Sequence, residues 1–273
     1  MAEFAGRRGT IHHRQWIPDD PQALVVFFHG LGEHVGSYEP LATALTGAGF
    51  ALWAHDHAGH GRSDGERVLI TRIDDLLDDA ATLLGLARQA HPDLPLVVAG
   101  HSLGATVATL LTAERLLPAG IRPAALVLAG SSIVPVPGAG GGLAGLLASG
   151  VDPLDLRKDP GELTRHPGYA QQIREDPLTW QGGIRVETLA ALGAATDRLA
   201  AVVPTVDVPV LLLHGEQDDL APAEGARRAA ELLADAEAVI FPDDLHNILN
   251  ELDRDEVHAT FVAFVRSHLQ GER

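Results

Sequence analysis

Two serines stand in the pattern Gly-x-Ser-x-Gly, and their surroundings separate them. Gly100-His101-Ser102-Leu103-Gly104 follows the apolar run Leu96, Val97, Val98, Ala99 and precedes a helix-forming run that reaches Leu117. Strand, tight turn and helix in that order lift a hydroxyl clear of a sheet. The following backbone N–H groups then point towards whatever the hydroxyl attacks. Glycine suits positions 100 and 104, because a side chain there would collide with the neighbouring strand or helix as the turn closes. Gly61-Arg62-Ser63-Asp64-Gly65 has the same letters, but Asp56-His57-Ala58-Gly59-His60 before it is no strand and Glu66-Arg67 after it starts no apolar helix. The context selects Ser102 as the candidate nucleophile.

A serine hydroxyl attacks poorly until a base takes its proton, so a histidine must come from elsewhere in the chain. His246 follows the last expected strand, on a loop at the carboxyl edge, and is late enough for the order Ser, acid, His. His214 is followed directly by Gly215 and reads as a turn residue, while His258 and His268 fall on the terminal helix and His91 ends an earlier one. The imidazole needs an acid to fix its tautomer. Asp218, four residues past the strand ending at His214, is favoured; Asp219 beside it and Asp243 or Asp244 near His246 remain alternatives. Negative charge on the attacked carbonyl calls for two backbone donors, each typically worth about 3 kcal/mol. Leu103 N–H at the helix start is one candidate. Leu31 N–H in Gly30-Leu31-Gly32 is the other, unless that loop is only a turn.

The elements needed to bring these groups together are legible as alternating strands and helices. Thr10 to Trp16 reads as an edge strand and 23–28 as a buried one, followed by a helix over 38–48. A strand at 50–55, a helix over 72–90 with its aspartates turned outward, the nucleophile strand with its helix, and a strand over 124–128 come next. The alternation stops between 132 and 206 and resumes with strands at 208–213 and 236–241 and helices over 223–234 and 255–269. This implies a mainly parallel sheet covered on both faces, with core segments 1–131 and 207–273 and an inserted, mostly helical lid over 132–206. The glycine-rich stretch 138–150 leads into that insertion. Its apolar residues, Leu154, Ile173, Leu178 and Ile184 among them, are candidates to line a greasy substrate pocket.

Composition removes several function classes. The chain has 20 Lys and Arg against 37 Asp and Glu, a formal charge of −17 that repels nucleic acid and anionic membranes. Membrane contact is therefore expected to be weak, peripheral and made to neutral lipid through the lid. There is no cysteine, and Met1 to Trp16 has no apolar core of a signal peptide, so a cytoplasmic protein without thiol chemistry is expected. The 14 histidines include His12-His13 and the set His55, His57, His60, which lack the spacing of a closed zinc site. They are expected to be surface or loop-packing residues, with no metal bound.

Five segments carry a family resemblance: 28–34 (Phe-His-Gly-Leu-Gly-Glu-His), 56–63 (Asp-His-Ala-Gly-His-Gly-Arg-Ser), 100–104, 213–218 (Leu-His-Gly-Glu-Gln-Asp), and Leu245-His246-Asn247 with Asn250-Glu251. In this order they resemble the monoacylglycerol lipase and lysophospholipase-like branch of the α/β-hydrolases, and Asp176-Pro177-Leu178 resembles its lid. The resemblance implies an α/β-hydrolase fold and hydrolysis of monoacylglycerols to glycerol and fatty acid without a cofactor. It assigns Ser102 as nucleophile, Asp218 and His246 as its partners, and Leu31 and Leu103 as oxyanion donors. Ala105 stands where the family usually has a further glycine. Lysophospholipase, small-ester esterase, acyltransferase and carbon–carbon hydrolase chemistry use the same groups, and a non-catalytic binding module is the contrasting class.

Overall fold

Successive residues of a strand point to opposite faces, and the two cores of this protein follow that rule. In the computed structural model, which describes residues 2–131, 133–136, 150 and 152–269, strand β3 (Ala23–Phe28) sends Leu24, Val26 and Phe28 to one face and Ala23, Val25 and Phe27 to the other. The same division runs through β4 (Phe50–His55), β5 (Leu96–His101), β6 (Ala125–Ala129) and β7 (Val210–Gly215). All five strands are buried along their length, which is why they read as unbroken apolar runs. Helices α1 (Glu39–Gly47) and α7 (Arg254–Leu269) cover one face; α2 (Ile73–Ala90), α3 (Leu103–Leu111) and α6 (Glu224–Leu232) cover the other.

Strands β1 (Ala2–Gly6), β2 (Gly9–Trp16) and β8 (Ala236–Phe241) complete an eight-stranded sheet of order β1-β2-β4-β3-β5-β6-β7-β8. The β1–β2 and β2–β4 pairs are antiparallel and the other pairs are parallel. This is the α/β-hydrolase arrangement expected above. Its register aligns Phe28 with Gly100, Gly100 with Leu128, and Gly215 with Phe241. Loops leaving β3, β5, β7 and β8 thus emerge along one carboxyl edge, the place where ligands meet open parallel sheets.

Three expectations need correction. The 10–16 strand is not at the edge, because β1 pairs outside it, from Ala2 against His13 to Gly6 against Gly9. That outer hairpin buries His12 and His13, so they are not surface residues: His13 stacks on Trp53 at 5.6 Å between ring centroids and Phe4 lies 5.9 Å from His13. His57 and His60, by contrast, pack inside the loop after β4, in keeping with the loop-packing reading, and burial pushes the His55 and His57 imidazoles well below their ordinary value, towards the neutral form. Nor are all the α2 aspartates turned outward, since Asp79 is buried and accepts the Arg7 N–H at 2.8 Å.

Between β6 and β7 the described part of the insertion contains short 3-10 turns at Pro153–Asp155 and Pro160–Glu162, helix α4 (Pro167–Glu175) and helix α5 (Val186–Val202). Apart from Gly150, the glycine-rich stretch 138–150 lies outside the described residues, as does Ser132. Ala191, Ala195 and Leu199 of α5 join the core on the α2–α3 side, so this helix packs against the sheet domain itself. No helix among the described residues is long and apolar enough to cross a membrane.

Candidate active site

The turn after β5 is as tight as its glycines suggested. Ser102 has φ 52° and ψ −117°, a left-handed backbone that a residue with a side chain rarely adopts. A Cβ at position 104 would enter the van der Waals shell of the Phe28 carbonyl, and one at 100 would strike the Gly104 backbone. Helix, strand and turn therefore close only with glycine at both places. Ser102 N–H donates to Ala129 O at 2.9 Å, tying the turn to the end of β6.

His246 reaches this turn from the loop after β8. Its Nε2 lies 3.0 Å from Ser102 Oγ, and its Nδ1–H donates to Asp218 Oδ2 at 2.8 Å. Asp218 comes from the loop after β7, whose seat is fixed by Glu216 N–H to Phe241 O (2.8 Å) and Gln217 N–H to Asp244 O (2.9 Å). Gly215 permits that approach, because a Cβ there would run into the Asp244 carbonyl. The three side chains are thus brought into one row. The alternatives lie elsewhere: Asp219 pairs with Lys158 at 2.5 Å on the surface, and Asp244 pairs with Arg165.

The Asp218 carboxylate is more fully bonded than its sequence position suggested. Oδ1 accepts the N–H groups of Leu220 and Ala221, both at 2.9 Å, and Oδ2 accepts from His246 and lies 3.1 Å from His214 Nε2. Burial alone would raise its pKa, but the two imidazoles outweigh that and hold it far below the usual carboxylate range. His214, read above as a turn residue, therefore also touches the acid of the row. Its Nε2 lies 2.5 Å from Ala221 O.

Behind Ser102 is a second polar group. His101 places Nδ1 3.2 Å from Glu33 Oε2 and 2.9 Å from the Tyr38 hydroxyl, while Nε2–H donates to the His246 carbonyl at 3.0 Å. Glu33 also accepts the Tyr38 hydroxyl and, at 2.8 Å, the Gly30 N–H. Burial opposes charge on both partners. Their attraction nonetheless prevails, raising His101 and drawing Glu33 down to about 2. The resulting buried ion pair joins the Gly30–Gly32 loop, the Ser102 turn and the His246 backbone. Glu33 and His101 were visible as letters of the two glycine motifs, but only the fold shows that they meet.

Leu31 lies in the loop after β3, and Leu103 directly follows Ser102. Leu103 is the first residue of α3, so its N–H has no acceptor within its own helix. Of the apolar insertion residues named from the sequence, Ile173 is buried, Leu178 and Ile184 are half-buried, and Leu154 is 51% exposed. Leu154 therefore does not share the enclosure of the other three. It sits in a 3-10 turn whose Asp152 side chain caps its own N–H, and this leaves the side chain outside.

Comparison with known proteins adds a second line. The Hydrolase_4 family model, described as "Serine aminopeptidase, S33", matches residues 19–253. A monoacylglycerol lipase of Mycolicibacterium smegmatis is 32% identical, covering 97% of this chain and 96% of that protein. The human monoglyceride lipase is 34% identical over 80% of this chain and 73% of its own length. Among solved structures, the monoacylglycerol lipase of Paleococcus ferrophilus superposes with a TM-score of 0.76 at 28% identity, covering 94% of this chain and 99% of that one.

Proposed function

The chain belongs to the Hydrolase_4 family of α/β-hydrolases, and from that premise we propose that it hydrolyses monoacylglycerols, or similar single-chain lipid esters, through an acyl-enzyme on Ser102. The observation that supports this most is the Ser102–His246–Asp218 row, set in a chain that a monoacylglycerol lipase matches at 32% identity over 97% of its length.

In this reading Ser102 Oγ attacks the ester carbonyl while His246 Nε2, 3.0 Å away, takes its proton. Asp218 keeps the remaining His246 N–H on Nδ1 and stabilises the imidazolium. The carbonyl oxygen, now negative, is held by the N–H groups of Leu103 and Leu31, and collapse of the intermediate releases glycerol with the proton from His246. Water then attacks the acyl-enzyme with His246 again as base, freeing the fatty acid. No step calls on a metal or cofactor. The 132–206 insertion acts as the lid, with Ile173, Leu178 and Ile184 as acyl-chain contacts.

The test is a substrate panel of monoacylglycerols of graded chain length beside di- and triacylglycerols and a lysophospholipid. Monoacylglycerols are expected to give the highest kcat/KM. A preference for the lysophospholipid or for short water-soluble esters would reassign the substrate on the same three residues.

A further inference from the structure

The loop carrying Leu31 is held from two sides. On the core side, Glu33 pins the Gly30 N–H, and Glu33 N–H donates to Gly30 O at 3.2 Å. On the other side the hold comes from the insertion. Trp180 N–H donates to Gly32 O at 2.8 Å, and His34 Nε2 lies 2.8 Å from Asp176 Oδ2. Leu31 thus lies between one residue fixed by the sheet domain and another fixed by the inserted segment.

The chemistry of His34 makes this contact directional. Its Nδ1 accepts the Gly36 N–H at 3.1 Å, so in the neutral ring Nε2 carries the hydrogen and donates to Asp176. The ring is 4% exposed. Its backbone is steadied by Ser37 N–H to His34 O (3.0 Å) and, one residue on, by Val35 N–H to Asp56 Oδ1 (2.8 Å). Asp176 caps the end of α4 and accepts the Leu178 N–H on its other oxygen at 2.8 Å, which sets the 176–180 turn that also supplies Trp180. Both ends of the pair are therefore rigidly mounted, one beside the oxyanion loop and one on the insertion.

We propose that His34 is a positioning residue which, bound to Asp176, transmits the seating of the inserted segment around 167–180 to the oxyanion donor at Leu31. The inference rests on the esterase reading above. It deepens that reading, because the inserted segment then helps to build the catalytic centre in addition to covering it. Oxyanion donors stabilise charge only when they meet the developing O⁻ at hydrogen-bond distance. A loop freed on its insertion side keeps the N–H but loses its aim, which lowers kcat more than it changes substrate binding.

Two substitutions separate the roles of the two ring nitrogens. His34→Gln places a donor near the Nε2 position and gives up the Gly36 contact; His34→Asn keeps an acceptor near Nδ1 and cannot reach Asp176. His34→Asn is expected to lower kcat on a monoacylglycerol about tenfold with KM within about twofold, and His34→Gln to stay within about threefold of wild type. Asp176→Ala is expected to match His34→Asn, and the double variant to be no slower than either single one. Equal losses in the Asn and Gln variants, additive losses in the double variant, or a change confined to KM or Tm would overturn the proposal. If the wild-type protein labels at Ser102 with a fluorophosphonate but cleaves no monoacylglycerol, only the substrate reading fails, and the same comparison is made on labelling rates. Absence of labelling in the wild type overturns both.

Discussion

Asp218 Oδ2 lies 2.8 Å from His246 Nδ1 and 3.1 Å from His214 Nε2. The same His214 nitrogen lies 2.5 Å from Ala221 O, and the Ala221 N–H is bonded to Asp218 Oδ1. His214 therefore braces the loop that aims Asp218 at His246. Replacing His214 with leucine loosens that brace and is expected to lower kcat about tenfold with KM within about twofold. Steady-state kinetics of both proteins on a p-nitrophenyl ester check this; an unchanged kcat would show that Asp218 is held without His214.

Asp218→Asn offers a test of tautomer control. The amide can donate to His246 Nδ1, which puts the imidazole hydrogen on Nε2, where Ser102 needs an acceptor. A fall in kcat of about 10⁴ is expected with the fold intact. Asp219→Asn should leave kcat unchanged, since that carboxylate is 68% exposed and paired with Lys158. Comparable losses in the two variants would remove the distinction drawn between the adjacent aspartates.

Ser63, in the second Gly-x-Ser-x-Gly, has a structural task. Its hydroxyl donates to Asp56 O at 2.6 Å and accepts the His12 N–H at 2.9 Å, both inside the protein. Ser63→Ala strands those two backbone groups and is expected to cost about 1–3 kcal/mol of stability. Denaturant unfolding should register the loss while kcat stays at the wild-type value.

Asp79 gives a pH-dependent prediction of opposite sign to the usual carboxylate. Burial, only partly offset by the Arg7 N–H, raises its pKa from 3.8 to about 6. A carboxyl whose folded pKa lies above its unfolded one favours folding at low pH, and the contribution is lost as pH rises through about 6. Asp79→Asn keeps the carbonyl acceptor and removes the buried charge. It should therefore raise Tm at pH 8, by a stability gain on the order of 1 kcal/mol that disappears below about pH 4. A gain of equal size at both pH values would point to packing instead of ionisation.

What could be read from the chain alone was whatever local sequence dictates. The turn at Ser102 demands glycines within two residues of it, and the loops bearing Asp218 and His246 follow apolar runs whose strand character is plain. The sheet then brings those loops together without further instruction. Contacts made by residues far apart in sequence were less visible. The strand at 2–6 is short and has Phe4 as its one large apolar side chain, so nothing marked it as the cover that buries His12 and His13. Asp79 looks like its neighbours on α2 until the Arg7 turn is folded over it. Likewise His34 and Asp176 are 142 residues apart, and no local pattern announces that their side chains meet.

The account stands on Ser102 being the activated nucleophile, and covalent labelling tests this most directly. A fluorophosphonate should add once to the wild-type protein, at the peptide carrying Ser102, and should not react with Ser102→Ala. His246→Ala should slow the labelling by about two decades or more. An adduct on Ser63, or labelling that persists at full rate without Ser102 or His246, would contradict it.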